Sequence, residues 1–248
     1  MKFFFLFLFF IILSNNFSYS NEWQIINEWK ISCGVVDKES LIINSKPKKK
    51  YNKKKFQVNS AIFKIDKNEI GSCPTDKKRV DNNKYSHSGR QEINHILLDG
   101  KSIFKTDILI DGAPAVRSTF FQIHDGRNKG APPSWIGVSG GWKIVHLFPK
   151  EECSKENCKM IKYNRYLEPN KIYRFKAEID YVKKEKKISV KYFLNDEFIL
   201  QHLNVPLGKK RKKGPYKYEP YIKIGIYRIG ETGTTQYTYS NILFKNKR

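Results

Sequence analysis

Phe175–Leu194 reads FKAEIDYVKKEKKISVKYFL. Both halves alternate, with Phe175, Ala177, Ile179 and Tyr181 in the first and Ile188, Val190, Tyr192 and Leu194 in the second. A period of two places each set on one side of an extended chain. The charged KKEK between them supplies the reversal, so the stretch predicts an antiparallel hairpin with one apolar face. After LNDE comes another apolar run, FILQHLNV, followed by YIKIGIYRI (Tyr221–Ile229) and YTYSNILF (Tyr237–Phe244). Gly, Pro, Asn and Asp punctuate these runs, helical periodicity is weak, and ESLIINS is too short to make a helix. Many short strands with frequent turn signals predict an all-β sandwich of the jelly-roll kind.

The chain opens MKFFFLFLFFIILSNNFSYS. One Lys, an apolar run over Phe3–Leu13 and a polar end with Ser18 and Ser20 make a secretory signal peptide over residues 1–20. The apolar run is too short to span a bilayer, and no later segment is long and apolar enough to do so. A single domain over residues 21–248 is expected, exported to the periplasm or beyond the cell. Four cysteines follow the signal: Cys33, Cys73, Cys153 and Cys158. An even count in an exported chain reads as two disulfides, Cys153 with Cys158 and Cys33 with Cys73. Zinc is the weaker reading, since there is no CxxC pair and no His beside the cysteines. No acidic cluster has calcium-ligand spacing, so no cofactor is expected beyond a structural calcium.

Lys and Arg number 47 against 24 Asp and Glu, a formal net charge of +23. Such an excess suits a polyanionic partner. Much of it lies in two runs, KPKKKYNKKK (Lys46–Lys55) and GKKRKKG (Gly208–Gly214). Charge runs are most often solvated loops, so the charge permits an anionic partner without requiring one. Export argues against nucleic acid and for an anionic polysaccharide, met by a monomer.

Three strands carry polar groups where a plain core strand would not. In FFQIHDG (Phe120–Gly126), alternation puts Gln122 and His124 on one face with Phe120, against Phe121 and Ile123. In GRQEINHI (Gly89–Ile96), Arg90, Glu92 and Asn94 share a face opposite Gln91, Ile93 and His95. In Tyr221–Ile229, Ile222, Ile224 and Ile226 oppose Tyr221, Lys223, Gly225 and Tyr227, and Gly225 reads as an opening for a close-lying ligand. A solvated sandwich face explains each strand alone. Together they bring carboxylate-binding and proton-transfer groups to one sheet.

RQEI, QIH and YIKIGIY resemble the three signature strands of jelly-roll polysaccharide lyases, the alginate-lyase-like and the heparin-lyase-I and glucuronan-lyase-like families. All three occur in the family order, and the resemblance covers most of the mature chain. It implies a concanavalin-like sandwich with a polar cleft on one sheet, and cleavage of a uronate chain by β-elimination. On that resemblance Arg90 and Gln122 neutralise the sugar carboxylate, His124 removes the C5 proton and Tyr227 protonates the departing O4, or serves as base too when both protons lie on one side of the sugar. Asn94, Lys223 and Tyr221 contact substrate, and Glu92 orients Arg90. Arg228 follows Tyr227 where alginate lyases usually have Asn-Gln, a departure that resembles the heparin-lyase-I side. His87, before the Arg90 motif, is a weaker cleft candidate.

Two rivals remain. EIDYVKKE, from Glu178, has the outline of a retaining glucanase strand. Retention needs two carboxyl groups about 5 Å apart, and the second position here holds Val182 or Lys183. A non-catalytic module for anionic glycans is the stronger alternative.

Overall fold

The computed structural model describes residues 23–25, 28–33, 42–43, 46–47, 57–67, 69, 88–112, 116–125, 132–147, 160–208, 219–230 and 233–247. The signal segment, His87, Cys73, Cys153, Cys158 and nearly all of both lysine runs lie outside them, and Cys33 ends a described strand.

Among the described residues, sixteen strands follow in chain order: β1 (Trp23–Ile25), β2 (Lys30–Cys33), β3 (Ile42–Ile43), β4 (Lys46–Pro47), β5 (Ala61–Ile65), β6 (Ser88–Ile96), β7 (Gly100–Asp111), β8 (Arg117–His124), β9 (Ser134–Ser139), β10 (Lys143–Leu147), β11 (Met160–Tyr166), β12 (Ile172–Val182), β13 (Lys187–Leu194), β14 (Glu197–Pro206), β15 (Tyr221–Ile229) and β16 (Thr235–Lys247). No helix occurs among the described residues. One seven-stranded sheet runs β1-β16-β7-β12-β13-β14, with β5 also on β16. The other runs β11-β10-β9-β8-β15-β6-β2, and β3 and β4 form a small pair. All pairings are antiparallel. The architecture is the two-sheet sandwich that the alternation predicts.

The opening hairpin forms as β12 and β13, with Phe175 opposite Leu194 and Val182 opposite Lys187. Its apolar set is buried and Lys176, Glu178 and Asp180 face outward. The next reversal, Asn195-Asp196, has positive φ at both residues (51° and 64°). That conformation matches the twist of paired strands and is tolerated by Asn and Asp. Between the sheets lies an aromatic core. Phe121 of one sheet sits 5.3 Å from Phe104 and 5.3 Å from Phe175 of the other, with Tyr192 at 5.8 Å. Burying such rings is the main force holding the sheets together.

Candidate active site

β15 is the middle of three neighbouring strands. Ile222, Ile224 and Ile226 enter the core, so Tyr221, Lys223 and Tyr227 point to the opposite face. Register then fixes their neighbours. Tyr221 pairs with His124 of β8, Lys223 with Gln122 of β8 and Asn94 of β6, and Tyr227 with Thr119 of β8 and Arg90 of β6. Gly225 stands opposite Glu92. On β6, Ile93 is in the core, Gln91 accepts the Lys64 N–H at 2.9 Å, and His95 packs on Trp29 and Phe244. Arg90, Glu92 and Asn94 take the other face, as alternation predicts.

Glu92 lies at the centre of this face. Its carboxylate accepts from the Gln122 amide at Oε1 and from the Lys223 ammonium at Oε2, 3.0 Å away. Both partners of the ion pair are buried, with side-chain exposures of 8% for Lys223 and 3% for Glu92. A buried ammonium is tolerated when a carboxylate meets it, so the pair is neutral together and fixes the orientation of Gln122. Glu92, expected to orient Arg90, holds Gln122 and Lys223. The Arg90 guanidinium lies over the Tyr227 ring, 4.2 Å from its centroid. Asn94 is fully buried, and neither atom of its amide has a hydrogen-bond partner among the described residues. His124 is half-buried and stacks on Tyr221, ring centroids 5.3 Å apart and 13° from parallel.

A break in register decides what else reaches this face. Between β8 and β9, Thr119 pairs with Gly137 but Phe121 pairs with Ile136, leaving Phe120 unmatched on β8. The β15 register shifts at the same level, between Ile224 and Tyr227. A bulge of this kind resets alternation. Phe120 therefore turns into the core, its ring 5.3 Å from Phe175, and does not share a face with Gln122 and His124. Upstream of the bulge, Arg117 comes to the polar face, 4.9 Å over Trp135 and 5.5 Å from the Tyr227 ring. Strict alternation from Gln122 assigns Arg117 to the core side, so sequence reasoning missed both it and Trp135. A bulge leaves no mark in a binary pattern made of two adjacent phenylalanines.

Gly225 is also reassigned. Its φ is +128°, and a Cβ there would lie 2.1 Å from the Gln91 carbonyl oxygen. The β6 backbone, rather than a ligand, requires glycine. Tyr239 of the opposite sheet secures this point: its hydroxyl donates to the Phe120 carbonyl at 2.7 Å and accepts the Gly225 N–H at 3.2 Å. Burial pushes the Tyr239 phenol well above its ordinary value, which keeps it a donor.

Arg228 lies on the core side and is fully buried. Its guanidinium donates to the carbonyls of Ile65 and Gly233, each at 2.9 Å, and to that of Asp66. Burial lowers its pKa. The residue that departs from the alginate-lyase motif thus points away from the polar face that carries Lys223 and Tyr227.

The register spreads the candidate groups along the strands. His124 is level with Tyr221, whereas Tyr227 is level with Thr119. At about 3.3 Å per residue, the two levels are roughly 16 Å apart along β8. The Glu92–Gln122–Lys223 cluster lies between them. Two further histidines are separate from this face: His146 Nδ1 is 3.1 Å from His202 Nε2, His202 Nδ1 is 2.7 Å from Ser134 Oγ, and Ser134 Oγ is 2.5 Å from the Tyr192 hydroxyl. This buried chain crosses the interior between the sheets. Among the described residues, no cluster of three or more His, Cys, Asp or Glu is placed to hold a metal ion.

No protein-family model matches the sequence, and no curated protein matches it. Solved structures do resemble the fold. A family 7 alginate lyase, A1-II′, solved in complex with substrate as a variant with one His changed to Asn and one Tyr to Phe, aligns with a TM-score of 0.57. Its identity is 10%, over 89% of this chain and 94% of its own. The polysaccharide lyase family 7 enzyme AlgAT5 aligns with a TM-score of 0.51 at 13% identity, over 89% of this chain and 95% of its own. The alginate lyase from Alteromonas sp. 272 gives 0.51 at 8% identity, over 89% and 95%. The chain has the jelly-roll fold of the family 7 alginate lyases.

Proposed function

We propose that the protein is a polysaccharide lyase that cleaves a uronate-containing chain by β-elimination. One observation carries this reading: Arg90, Gln122, His124, Lys223 and Tyr227, from three neighbouring strands, share the non-core face of one sheet. The C5 proton of a uronate is weakly acidic because its removal builds charge beside a carboxylate. Arg90 and Gln122 are assigned to that carboxylate, where fixed donors aimed at developing charge lower the barrier. His124 is assigned the C5 proton, since imidazole is the side chain most often used as a general base. Tyr227 is assigned protonation of O4, with the cleaved sugar seated over the Glu92–Gln122–Lys223 cluster that lies between the two side chains. As the C5–H bond breaks, C4=C5 forms and the C4–O4 bond breaks, so the new chain end is unsaturated. Asn94 and Tyr221 line the route, and the buried Asn94 amide would gain a partner from a sugar hydroxyl or a water.

The spread between His124 and Tyr227 favours a second reading, a binding module for anionic glycans that lacks turnover. A panel of polyuronates and glycosaminoglycans, alginate first, separates the two by the ultraviolet absorbance of the unsaturated product. Absorbance rising with new reducing ends supports the lyase. Affinity without absorbance supports the module, and hydrolysis without absorbance defeats both. The neighbour A1-II′ is an alginate lyase held with its substrate in a His and Tyr variant, the two residue types given proton transfer here. We also read the mature chain as residues 21–248, exported, with Cys33–Cys73 and Cys153–Cys158 oxidised. Thiol titration of the denatured, unreduced protein should then find almost no free thiol.

A further inference from the structure

We infer that the outer face of the other sheet, across the sandwich from the candidate active site, carries a second glycan-binding site that holds a stretch of acidic polysaccharide without cleaving it. The inference goes beyond the lyase reading and stands without it. It starts from the opening hairpin. Ala177, Ile179 and Tyr181 of β12 and Ile188, Val190 and Tyr192 of β13 fill the core, so Glu178, Asp180, Ser189 and Lys191 point outward. With Lys101 of β7 opposite Asp180 in register, they floor a depression of about 540 Å³. Trp23 of β1 and Leu203 of β14, both exposed, line its two sides. Five strand spacings separate β1 from β14. At about 4.8 Å each that is roughly 24 Å, a span for several sugars rather than one.

The charges in the depression differ from those of the face around it. Elsewhere on this sheet opposite charges meet, Arg174 with Asp196 and Lys187 with Glu185. Glu178 is taken by Lys176, 2.9 Å away, which leaves Lys191 without the carboxylate it faces in register. Lys101 and Asp180 also face each other in register, yet neither forms an ion pair among the described residues. The Ser189 hydroxyl accepts the Asn204 N–H at 3.0 Å and keeps its own proton to donate. An acidic sugar chain answers each of these groups. Its carboxylates meet Lys101 and Lys191, its hydroxyls donate to Asp180 and accept from Ser189, and the apolar face of a ring lies on the Trp23 indole. Asp180 sets the ligand class. It stands on the strand between the two lysines, where it repels a plain polyanion and favours one that also carries hydroxyl donors.

The test is retention by alginate and by polyglucuronate in affinity electrophoresis, for wild type and for an Arg90→Ala, Tyr227→Phe protein whose cleft is disabled. Lys101→Gln with Lys191→Gln should weaken retention about tenfold in both backgrounds, the loss of two charge-assisted contacts. Lys67→Gln with Lys105→Gln removes the same charge from exposed positions outside the depression and should cost far less. Asp180→Asn should also weaken retention by polyuronate, although it makes the protein more positive, and should tighten retention by polyphosphate. Trp23→Ala should weaken retention by polyuronate. If that variant or the cleft-disabled protein fails to fold, the lysine pairs and Asp180→Asn in wild type still decide. Equal losses from the two lysine pairs overturn the inference, as does tighter retention of Asp180→Asn by polyuronate. So does loss of all retention in a folded, cleft-disabled protein. Unsaturated product from wild type judges the lyase reading separately. Product without retention of the cleft-disabled protein removes this second site alone, and lysine-dependent retention without product removes the lyase alone.

Discussion

The Tyr239 hydroxyl donates across the sandwich to the carbonyl of Phe120, 2.7 Å away. That carbonyl belongs to the bulged residue, which has no register partner on β9 or on β15. A buried carbonyl without a donor is costly. A side chain of one sheet therefore sets the parity of a strand in the other. It also decides that Arg117 and Gln122, five positions apart, face the same way.

Tyr239→Phe should accordingly destabilise the fold by about 1–3 kcal/mol, the penalty for stranding a buried polar group. It should also slow turnover, although residue 239 is in the core. Urea unfolding gives the first quantity and initial rates on the folded protein the second. Lost stability with wild-type kinetics would show that the bulge holds without its tether.

Glu92→Gln leaves the Lys223 ammonium buried without a carboxylate. Breaking a buried pair from one side costs on the order of 3–5 kcal/mol. Replacing both, as Glu92→Gln with Lys223→Met, should restore much of that stability. A double-mutant cycle read by denaturant unfolding measures the coupling. Additive losses would mean that the two side chains do not depend on each other.

His124→Ala and Tyr227→Phe should each lower kcat by about 10²–10⁴-fold, the usual contribution of a general acid or base. Polyuronate affinity should stay within a few-fold, because these groups act on protons in the transition state. Arg90→Ala should raise KM as well as lower kcat. Should His124→Ala retain full rate per folded molecule while melting earlier, His124 is a strand histidine and Tyr227 alone moves protons.

The buried pair His146–His202 makes stability depend on pH. Burial, helped by the neighbouring imidazole of His146, lowers the His202 pKa to about 3. Ser134 and Tyr192 complete its surroundings, and burial pushes the Tyr192 phenol up, so it stays neutral. An unfolded chain protonates that histidine near pH 6.5. Its contribution is therefore complete above pH 6.5 and is lost as pH falls from there toward 3. At pH 4 the cost is roughly 3 kcal/mol. Unfolding free energies at pH 7 and pH 4 should differ by more in wild type than in His202→Gln, and equal slopes would contradict this origin.

Legibility in the sequence followed how local each cause was. β12 and β13 were readable because every second residue is apolar and the turn is charged. Arg90, Glu92 and Asn94 were placed correctly since β6 keeps its alternation from Arg90 to Asn94. Phe120 was misplaced and Arg117 missed because the bulge depends on Gly137, Gly225 and Tyr239, which are distant in sequence. That Glu92 meets Lys223 is not legible for a related reason: the two are 131 residues apart along the chain, and periodicity says nothing about which long side chains meet.

Arg228 alters how the signature strand should be interpreted. It adjoins Tyr227 in the sequence, yet its hydrogen bonds tie the end of β5 to the loop before β16. Sorting relatives by the letter after the motif tyrosine would then classify them by how they fasten the rim of the sandwich. Attempts to retune polymer preference at residue 228 should instead change heat tolerance.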